Sequence, residues 1–245
     1  MLPLLAAAFF AADHSATLDE LKPLRGLRKA AAPTIPTAAY SKALNGEIVT
    51  GVQVVEGVDA GKAWGVTKLK VSASAVWKAV TSEEVFEDYM PVDHSDVVGG
   101  RKHADGRFIF QYMPLPLVDD RWWITKMNHN TALYTESGGR MMEVYWSDAM
   151  DRTDLLNEKQ QDLVDDGYPV DFTKGSWLVI DLGGGESLVE YFVWSDPGGS
   201  LPAGPASQFA GGAVDDTMKA ITKLARKHAA GSAKGYYYPD GTPVP

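Results

Sequence analysis

The sequence has no cysteine, little positive charge and few histidines, and each shortage excludes a class of function. Without cysteine the chain can form no disulfide, thiol nucleophile or zinc–thiolate site. A formal net charge of −9 argues against a nucleic-acid partner, because neutralising phosphates requires a basic surface. After the N-terminal segment, no stretch reaches the roughly 18 unbroken apolar residues expected of a membrane span.

The polar residues show no arrangement typical of a metal or catalytic centre. The five histidines, at positions 14, 94, 103, 129 and 228, lack the spacing of a metal site. Asp93-His94-Ser95-Asp96 contains the residue types of a hydrolytic triad, but neighbours on a strand point to opposite faces and cannot assemble locally. We therefore predict no metal, no cofactor and no catalytic residue.

The chain divides into four predicted parts. These are a secretory signal peptide over residues 1–16, a helix and linker over 17–45, a ligand-binding domain over 46–230 and a tail over 231–245. The apolar run over residues 2–12 suits a signal peptide, although no Lys or Arg precedes it and no clear cleavage site follows it. The alternative is a short helix packed on the domain. The first interpretation places the protein in the periplasm or outside the cell, and the second in the cytoplasm.

Short segments rich in β-branched and aromatic residues alternate with turn residues across the domain. We predict strands near 47–56 and 64–71, two short helices capped by Ser74 and Ser82, and further strands near 94–101, 105–113, 120–131, 133–147, 174–182 and 186–195. The acidic segment 148–171 interrupts them and contains a predicted surface helix. A proline-closed loop then leads into one long amphipathic helix. Strands and helices separated in this way predict an α+β fold rather than repeated βαβ units.

Four motifs, in order, resemble the START and polyketide-cyclase-like superfamily. Residues 71–81 are similar to the start of its first helix, and residues 86–91 to the aromatic-and-proline stop after its second. Residues 116–123 resemble a START strand, with Trp122 in place of the usual acidic residue, and 196–202 resemble the loop before the final helix. The resemblance implies a helix-grip fold, in which a curved antiparallel sheet wraps around a long C-terminal helix, with two short helices after the first strands. An apolar cavity would lie between sheet and helix.

Strand alternation and the implied cavity together select the candidate ligand-binding residues. Glu143 and Glu190 lie mid-strand among apolar neighbours, where a carboxylate is costly unless paired, so either could hold a ligand head group or face solvent. Small residues near the start of the last helix leave room for a ligand or allow close packing. The full candidate set is Arg121, Trp123, Met127, Met142, Glu143, Tyr145, Glu190, Phe209, Gly212 and Ala213.

Two groups of charged residues have alternative interpretations. Arg121 could reach a ligand, or it could pair with a carboxylate and fix the start of its strand; we predict the second, with Glu143 or Glu190 as its partner. The basic run Lys219, Lys223, Arg226 and Lys227 is interpreted as cations favoured at a helix C-terminus, and a local basic patch is the alternative.

The resemblance implies binding of a hydrophobic ligand, with transport of that ligand as a further expectation. The candidate ligands are sterols, hopanoids, phospholipids, fatty acids and quinones. An enzyme of the polyketide cyclase or aromatase type is the alternative, and an interaction module with a filled cavity is the third hypothesis. No pair of converging titratable residues is evident, so we predict a non-catalytic lipid-binding protein. We expect a monomer that contacts membranes transiently and binds no nucleic acid.

Overall fold

A curved nine-stranded sheet organises the computed structural model, which describes residues 14–56, 58–199 and 213–245. The strands are β1 (Val49–Val55), β2 (Val58–Leu69), β3 (His94–Gly99), β4 (Arg107–Met113), β5 (Arg121–His129), β6 (Met141–Asp148), β7 (Tyr168–Pro169), β8 (Phe172–Gly183) and β9 (Glu186–Asp196). Eight of them pair antiparallel in the order β1-β2-β9-β8-β6-β5-β4-β3, and the short β7 pairs with β5 in parallel.

Six α-helices and three 3₁₀ segments surround the sheet in the described residues. The α-helices are α1 (residues 14–21), α2 (Thr37–Leu44), α3 (Ala73–Val80), α4 (Thr131–Glu136), α5 (Glu158–Asp166) and α6 (Val214–Ala230), and the 3₁₀ segments are Lys22–Leu27, Glu83–Asp88 and Thr153–Leu155. Within the described ranges, no helix combines the length and apolar character needed to cross a membrane. The α+β prediction of a curved antiparallel sheet around a C-terminal helix is confirmed.

Several predicted boundaries differ from the structure for local reasons. The predicted turn over 59–62 lies inside β2, and the predicted strand over 133–147 begins only at Met141. Asn130 explains the second difference, because its side chain accepts a hydrogen bond from Leu133 N (3.1 Å) and so starts α4 where a strand was expected. Helix α3 is capped by Ser72 rather than Ser74, and α2 was not predicted.

The inner face of the sheet packs against α6 and α3. Val214, Met218, Ile221 and Leu224 follow the i, i+4, i+7, i+10 spacing of one helix stripe, and all four are buried in the largest apolar cluster. Gly65 on β2 permits the close crossing, because a Cβ atom there would lie 2.9 Å from both Met218 Cγ and Val214 Cγ1. The sheet therefore holds α6 along one apolar stripe.

The outer face of the sheet is apolar too, and two separate segments cover it. The N-terminal segment, residues 14–44, packs on the β6, β8 and β9 side through Leu21, Ala39 and Ala43. The insertion between β6 and β8 covers β4 and β5, where Leu156 packs in a cluster with Trp122. The sequence therefore builds three layers, with the sheet in the middle.

Residues 14–16 belong to helix α1 and contact the sheet. His14 Nε2 lies 2.6 Å from Glu186 Oε2, and the His14 side chain is buried. The predicted signal peptide over residues 1–16 ends inside this helix, whereas residues 1–13 lie outside the described residues.

The tail after α6 folds back onto the domain. The Tyr236 hydroxyl lies 2.8 Å from Ser82 Oγ, and Trp77 Nε1 donates a hydrogen bond to the Tyr237 carbonyl (2.8 Å). Tyr236 and Val244 are buried. The tail thus closes the end of the molecule where α3 meets the C-terminal half of α6.

Two buried carboxylates on the outer face hold the N-terminal segment in place. Glu190 accepts hydrogen bonds from Arg25 Nη1 (2.9 Å), Arg28 Nη1 (3.2 Å) and the Tyr40 hydroxyl (3.0 Å). Glu143 accepts from Arg28 Nε (3.0 Å) and from the Lys29 backbone N–H (2.9 Å). Arg28 therefore bridges both carboxylates, which pairs charges that would otherwise be costly to bury.

This network makes stability depend on pH. Burial alone would raise the pKa of the Glu190 carboxyl, but Arg25, Arg28 and the Tyr40 hydroxyl together hold that pKa below its ordinary value. A carboxyl with a lowered pKa in the folded state contributes stability that is fully present above its unfolded pKa of about 4.3. That contribution is lost as the pH falls through the folded-state pKa.

Replacing Arg28 by Met should destabilise the protein by about 3–5 kcal/mol, because it leaves the buried Glu143 without a cationic partner and removes one of the two arginines that pair with Glu190. Urea unfolding at pH 7 measures this loss, and it should shrink at acidic pH as Glu190 becomes protonated. Arg140→Met is the matched control, since Arg140 pairs with the exposed Glu20 and its loss should matter far less. Equal effects of the two substitutions would contradict the assignment.

Candidate ligand cavity

A cavity of about 140 Å³ lies between the inner face of the sheet and the start of α6. Its lining is mostly apolar and aromatic: Phe86, Met90, Pro91, Val92, Ile109, Met113, Trp123, Met127, Trp146, Trp177, Tyr191, Val193, Ala213 and Val214. The polar lining residues are Glu83, Gln111, Thr125, Thr173, Ser195 and Thr217. A small set of polar groups in an apolar pocket is the usual composition of a small-molecule site.

Cross-strand register brings the aromatic side chains together. Met127 on β5 is paired with Trp146 on β6, and Trp177 on β8 is paired with Tyr191 on β9. Directly opposed residues of antiparallel strands point to the same face of the sheet. If one residue points inward, its partner on the neighbouring strand therefore points inward as well. The Trp177 and Tyr191 ring centroids are 4.2 Å apart. These rings form a rigid aromatic wall.

A chain of side-chain hydrogen bonds fixes the polar part of the wall. Trp123 Nε1 donates to Gln111 Oε1 (2.8 Å), and Gln111 Nε2 donates to Ser95 Oγ (3.1 Å). Burial raises the pKa of the Tyr191 hydroxyl, which keeps it protonated, and the described residues give it no hydrogen-bond partner. Tyr191 is therefore available as a donor to a bound molecule.

The acidic lining residue Glu83 is held by a buried arginine. Arg107 donates to both Glu83 carboxylate oxygens, with Nε 3.0 Å from Oε2, and its Nη1 lies 3.0 Å from His129 Nε2. Burial, reinforced by the Arg107 charge, lowers the pKa of His129 to about 3, so this histidine is neutral. Arg107 thus fixes the orientation of the Glu83 carboxylate and compensates its charge.

The described lining contains few charged groups. Glu83 is the one carboxylate among the described lining residues, and it forms an ion pair with Arg107. The described part of the chain also contains no group of three or more His, Asp or Glu side chains placed to hold a metal ion. An apolar molecule would gain from burial, and a few fixed polar groups would orient it.

Comparison with solved structures identifies the fold. The STAR-related lipid transfer protein from Xanthomonas axonopodis matches with a TM-score of 0.59 and 22% identity, over 73% of this chain and 93% of that one. Human StAR-related lipid transfer protein 5 matches with a TM-score of 0.58 and 13% identity, over 90% of this chain and 98% of that one. Human STARD10 matches with a TM-score of 0.56 and 14% identity, over 82% of this chain and 84% of that one. This chain has a START-type helix-grip fold. No protein-family model and no curated protein sequence matches it.

The START-type cavity contains three of the predicted site residues. Trp123, Met127 and Ala213 line it. Met142 points to the same inner face but is buried in the apolar cluster and does not line the cavity. Phe209 and Gly212 lie outside the described residues.

Three predicted site residues lie on the other face of the sheet, which corrects the prediction. Glu143, Tyr145 and Glu190 alternate with inward-facing neighbours such as Trp146 and Tyr191, and so point outward. The two glutamates were selected because mid-strand carboxylates need partners. Their partners come from the N-terminal segment and not from a ligand in this cavity.

Arg121 is structural, but the predicted partner is wrong. Its guanidinium donates to the backbone carbonyls of Pro197 (Nε, 2.7 Å), Gly198 (Nη2, 3.2 Å) and Asp119, and it lies over the Tyr168 ring at 4.8 Å. Neither Glu143 nor Glu190 contacts it, because both point to the outer face. Arg121 therefore ties the start of β5 to the chain leaving β9.

The aromatic residues missed at the sequence level are Trp146, Trp177 and Tyr191. Alternation divides each strand into two faces, but both faces carry large apolar residues, so alternation does not show which face is inward. Strand pairing supplies the missing information, since Met127 was already selected and its partner is Trp146. The registers of the three successive strand pairs β5–β6, β6–β8 and β8–β9 would have identified all three residues.

Replacing Arg121 by Met should destabilise the protein by about 1–3 kcal/mol, the cost of leaving partly buried backbone carbonyls without donors. This is less than the roughly 3–5 kcal/mol expected if a buried carboxylate were stranded. Denaturant unfolding measures the difference, and Arg121→Lys should recover part of the loss. A variant as stable as the parent would show that these hydrogen bonds contribute nothing.

Proposed function

We propose that this protein binds a hydrophobic molecule, a lipid or a lipid-like compound, in the cavity between the sheet and α6, and carries it between membranes. The observation that supports the proposal is the aromatic lining around Trp177 and Tyr191 with few polar groups. The START-type fold supports it further, because two of the similar structures are described as lipid transfer proteins. The bound molecule would gain about 25 cal/mol for each Å² of apolar surface removed from water.

The size of the cavity limits what the described form can hold. A cavity of about 140 Å³ is close to the roughly 150 Å³ that accommodates benzene, whereas drug-sized ligands occupy about 300–1,000 Å³. A sterol or an acyl chain would therefore require one wall to move. Ala213, Val214 and Thr217 form the wall contributed by α6. We infer that the first turn of α6 moves away from the sheet when the ligand enters.

The same lining supports binding over catalysis. A cyclase or an aromatase would need a general acid or base that faces the substrate with a free proton site. Glu83 is paired with Arg107, and Tyr191 stays protonated because burial raises its pKa. The Tyr191 hydroxyl can donate a hydrogen bond to a bound molecule while it stays protonated.

Filling the cavity should abolish binding. Ala213→Phe places a ring in a space of about benzene size and should weaken binding of cis-parinaric acid by more than about tenfold. Asp216→Phe is the matched control, because it adds the same ring to the exposed side of α6 and should bind normally. Fluorescence titration measures affinity, and thermal melts confirm that both variants are folded. Normal binding by folded Ala213→Phe would contradict the proposed site.

The loop before β5 is the proposed contact with the membrane. Leu117 is fully exposed and has a φ of 70°, a backbone conformation that is unfavourable for leucine. Its neighbour Leu115 is buried against Val170, in a cluster that also contacts the cavity residue Trp123. An apolar side chain presented to water beside the cavity is suited to entering a lipid surface.

Replacing Leu117 by Ser should slow transfer of cis-parinaric acid between phosphatidylcholine vesicles several-fold while leaving its equilibrium affinity unchanged. The reason is that Leu117 contacts the vesicle and not the ligand. Val54→Ser is the matched control, since Val54 is also highly exposed but lies on the edge strand β1. Equal transfer rates for Leu117→Ser and the parent would exclude this loop as the contact.

A further inference from the structure

A groove of about 460 Å³ flanks α6 where the helix passes the end of β2, and it is strongly basic. Five of its ten lining residues are cationic: Lys68, Lys70, Lys219, Lys223 and Arg226. The protein as a whole carries a net charge of −9, so this concentration of positive charge is local.

Two different elements contribute the cations. Lys219, Lys223 and Arg226 are spaced i, i+4, i+7 on α6 and share one side of the helix. Lys70 follows Leu69, the last residue of β2, and Lys68 lies two residues before it, with a side chain that points to the outer face of the sheet beside Glu186. The helix dipole favours cations near the C-terminus of α6, but it has no bearing on Lys70. Cations from two parts of the chain therefore line the groove.

Neighbouring carboxylates compensate only part of this charge. Lys68 Nζ lies 3.4 Å from Glu186, and Lys219 pairs with Asp215. Lys70, Lys223 and Arg226 have no carboxylate within 4.0 Å among the described residues. Three exposed cations line this groove, and a bound anion would relieve their mutual repulsion. The Lys223 ammonium lies over the Tyr89 ring, 5.3 Å from its centroid.

The floor of the groove offers a neutral donor. Thr67 is 1% exposed and lines the groove, and its hydroxyl has no hydrogen-bond partner among the described residues. A buried hydroxyl without a partner is unfavourable unless a ligand or water satisfies it. Thr222 beside it already donates to the Met218 carbonyl (2.8 Å).

We propose that this groove binds a phosphate-bearing anion, with Lys70, Lys223 and Arg226 supplying the charge and Thr67 a neutral hydrogen bond. A planar guanidinium can bind phosphate oxygens in bidentate fashion, and the lysine ammonium groups add point charges. The phosphate could belong to a soluble compound or to a phospholipid head group. The proposal is independent of the hydrophobic cavity, whose lining shares no residue with the groove.

The test uses two probes and a matched pair of double variants. Pyrophosphate, titrated calorimetrically at low salt, represents soluble phosphates, and phosphatidylcholine vesicles with and without phosphatidylglycerol represent head groups. The groove variant is Lys223→Glu with Arg226→Glu, and the control is Lys102→Glu with Lys159→Glu, which makes the same change in charge at exposed positions elsewhere. Lys223→Gln with Arg226→Gln serves as a milder variant if the first does not fold.

The expected result is saturable binding of at least one probe, weakened about tenfold or more in the groove variant and little changed in the control. Binding of pyrophosphate would identify a soluble phosphate, and binding only to phosphatidylglycerol vesicles would identify a head group. Absence of saturable binding to both probes, or equal loss in the two double variants, would overturn the proposal. Uptake of cis-parinaric acid should be normal in the groove variant, which separates this site from the hydrophobic cavity.

Discussion

The sheet carries large apolar side chains on both faces, and leaving either face in water would cost about 25 cal/mol for each Å² exposed. The other elements of the chain are arranged to meet this constraint. The N-terminal segment and the insertion between β6 and β8 cover the outer face, while α3 and α6 cover the inner one. The cavity is the region of the inner face beside the first turn of α6 that the described residues leave unfilled.

The N-terminal segment on the outer face and α6 on the inner face are attached to the sheet by different interactions. Arg25 and Arg28 reach from the N-terminal segment to Glu190 and Glu143, which are buried in the middle of the sheet. Buried ion pairs add little net stability compared with apolar packing, but they penalise every arrangement that leaves a charge unpaired. We interpret the network as fixing where the segment lies on the sheet. The α6 contact is instead an apolar stripe without buried ion pairs among its described residues, which suits a wall that moves for a ligand.

Much of the fold was predictable because it depends on local pattern. The strands of the sheet and the two short helices after β2 follow from alternation and from turn and capping residues, and the four START-like motifs set their order. The missed elements depend on single side chains: α4 starts where Asn130 caps a helix inside an expected strand. Helix α2 is short and only weakly amphipathic, so pattern alone gave it little support.

The site was less predictable than the fold because it depends on pairing between distant strands. Trp123 and Met127, selected from one strand, line the cavity, but Glu143 and Glu190 were selected for their polarity and lie on the opposite face. Their partners Arg25 and Arg28 are more than a hundred residues away in the chain. Arg121 shows the same limit, because its acceptors are backbone carbonyls, which carry no sequence signal.

The central claim is that the cavity beside α6 holds a hydrophobic molecule. Native mass spectrometry of the protein purified from its own host, followed by organic extraction and identification of the released compound, tests it most directly. The account predicts one non-covalent hydrophobic molecule per chain, released by collisional activation and present in the extract. A chain of apoprotein mass, both as purified and after incubation with a total lipid extract of the host, would contradict it.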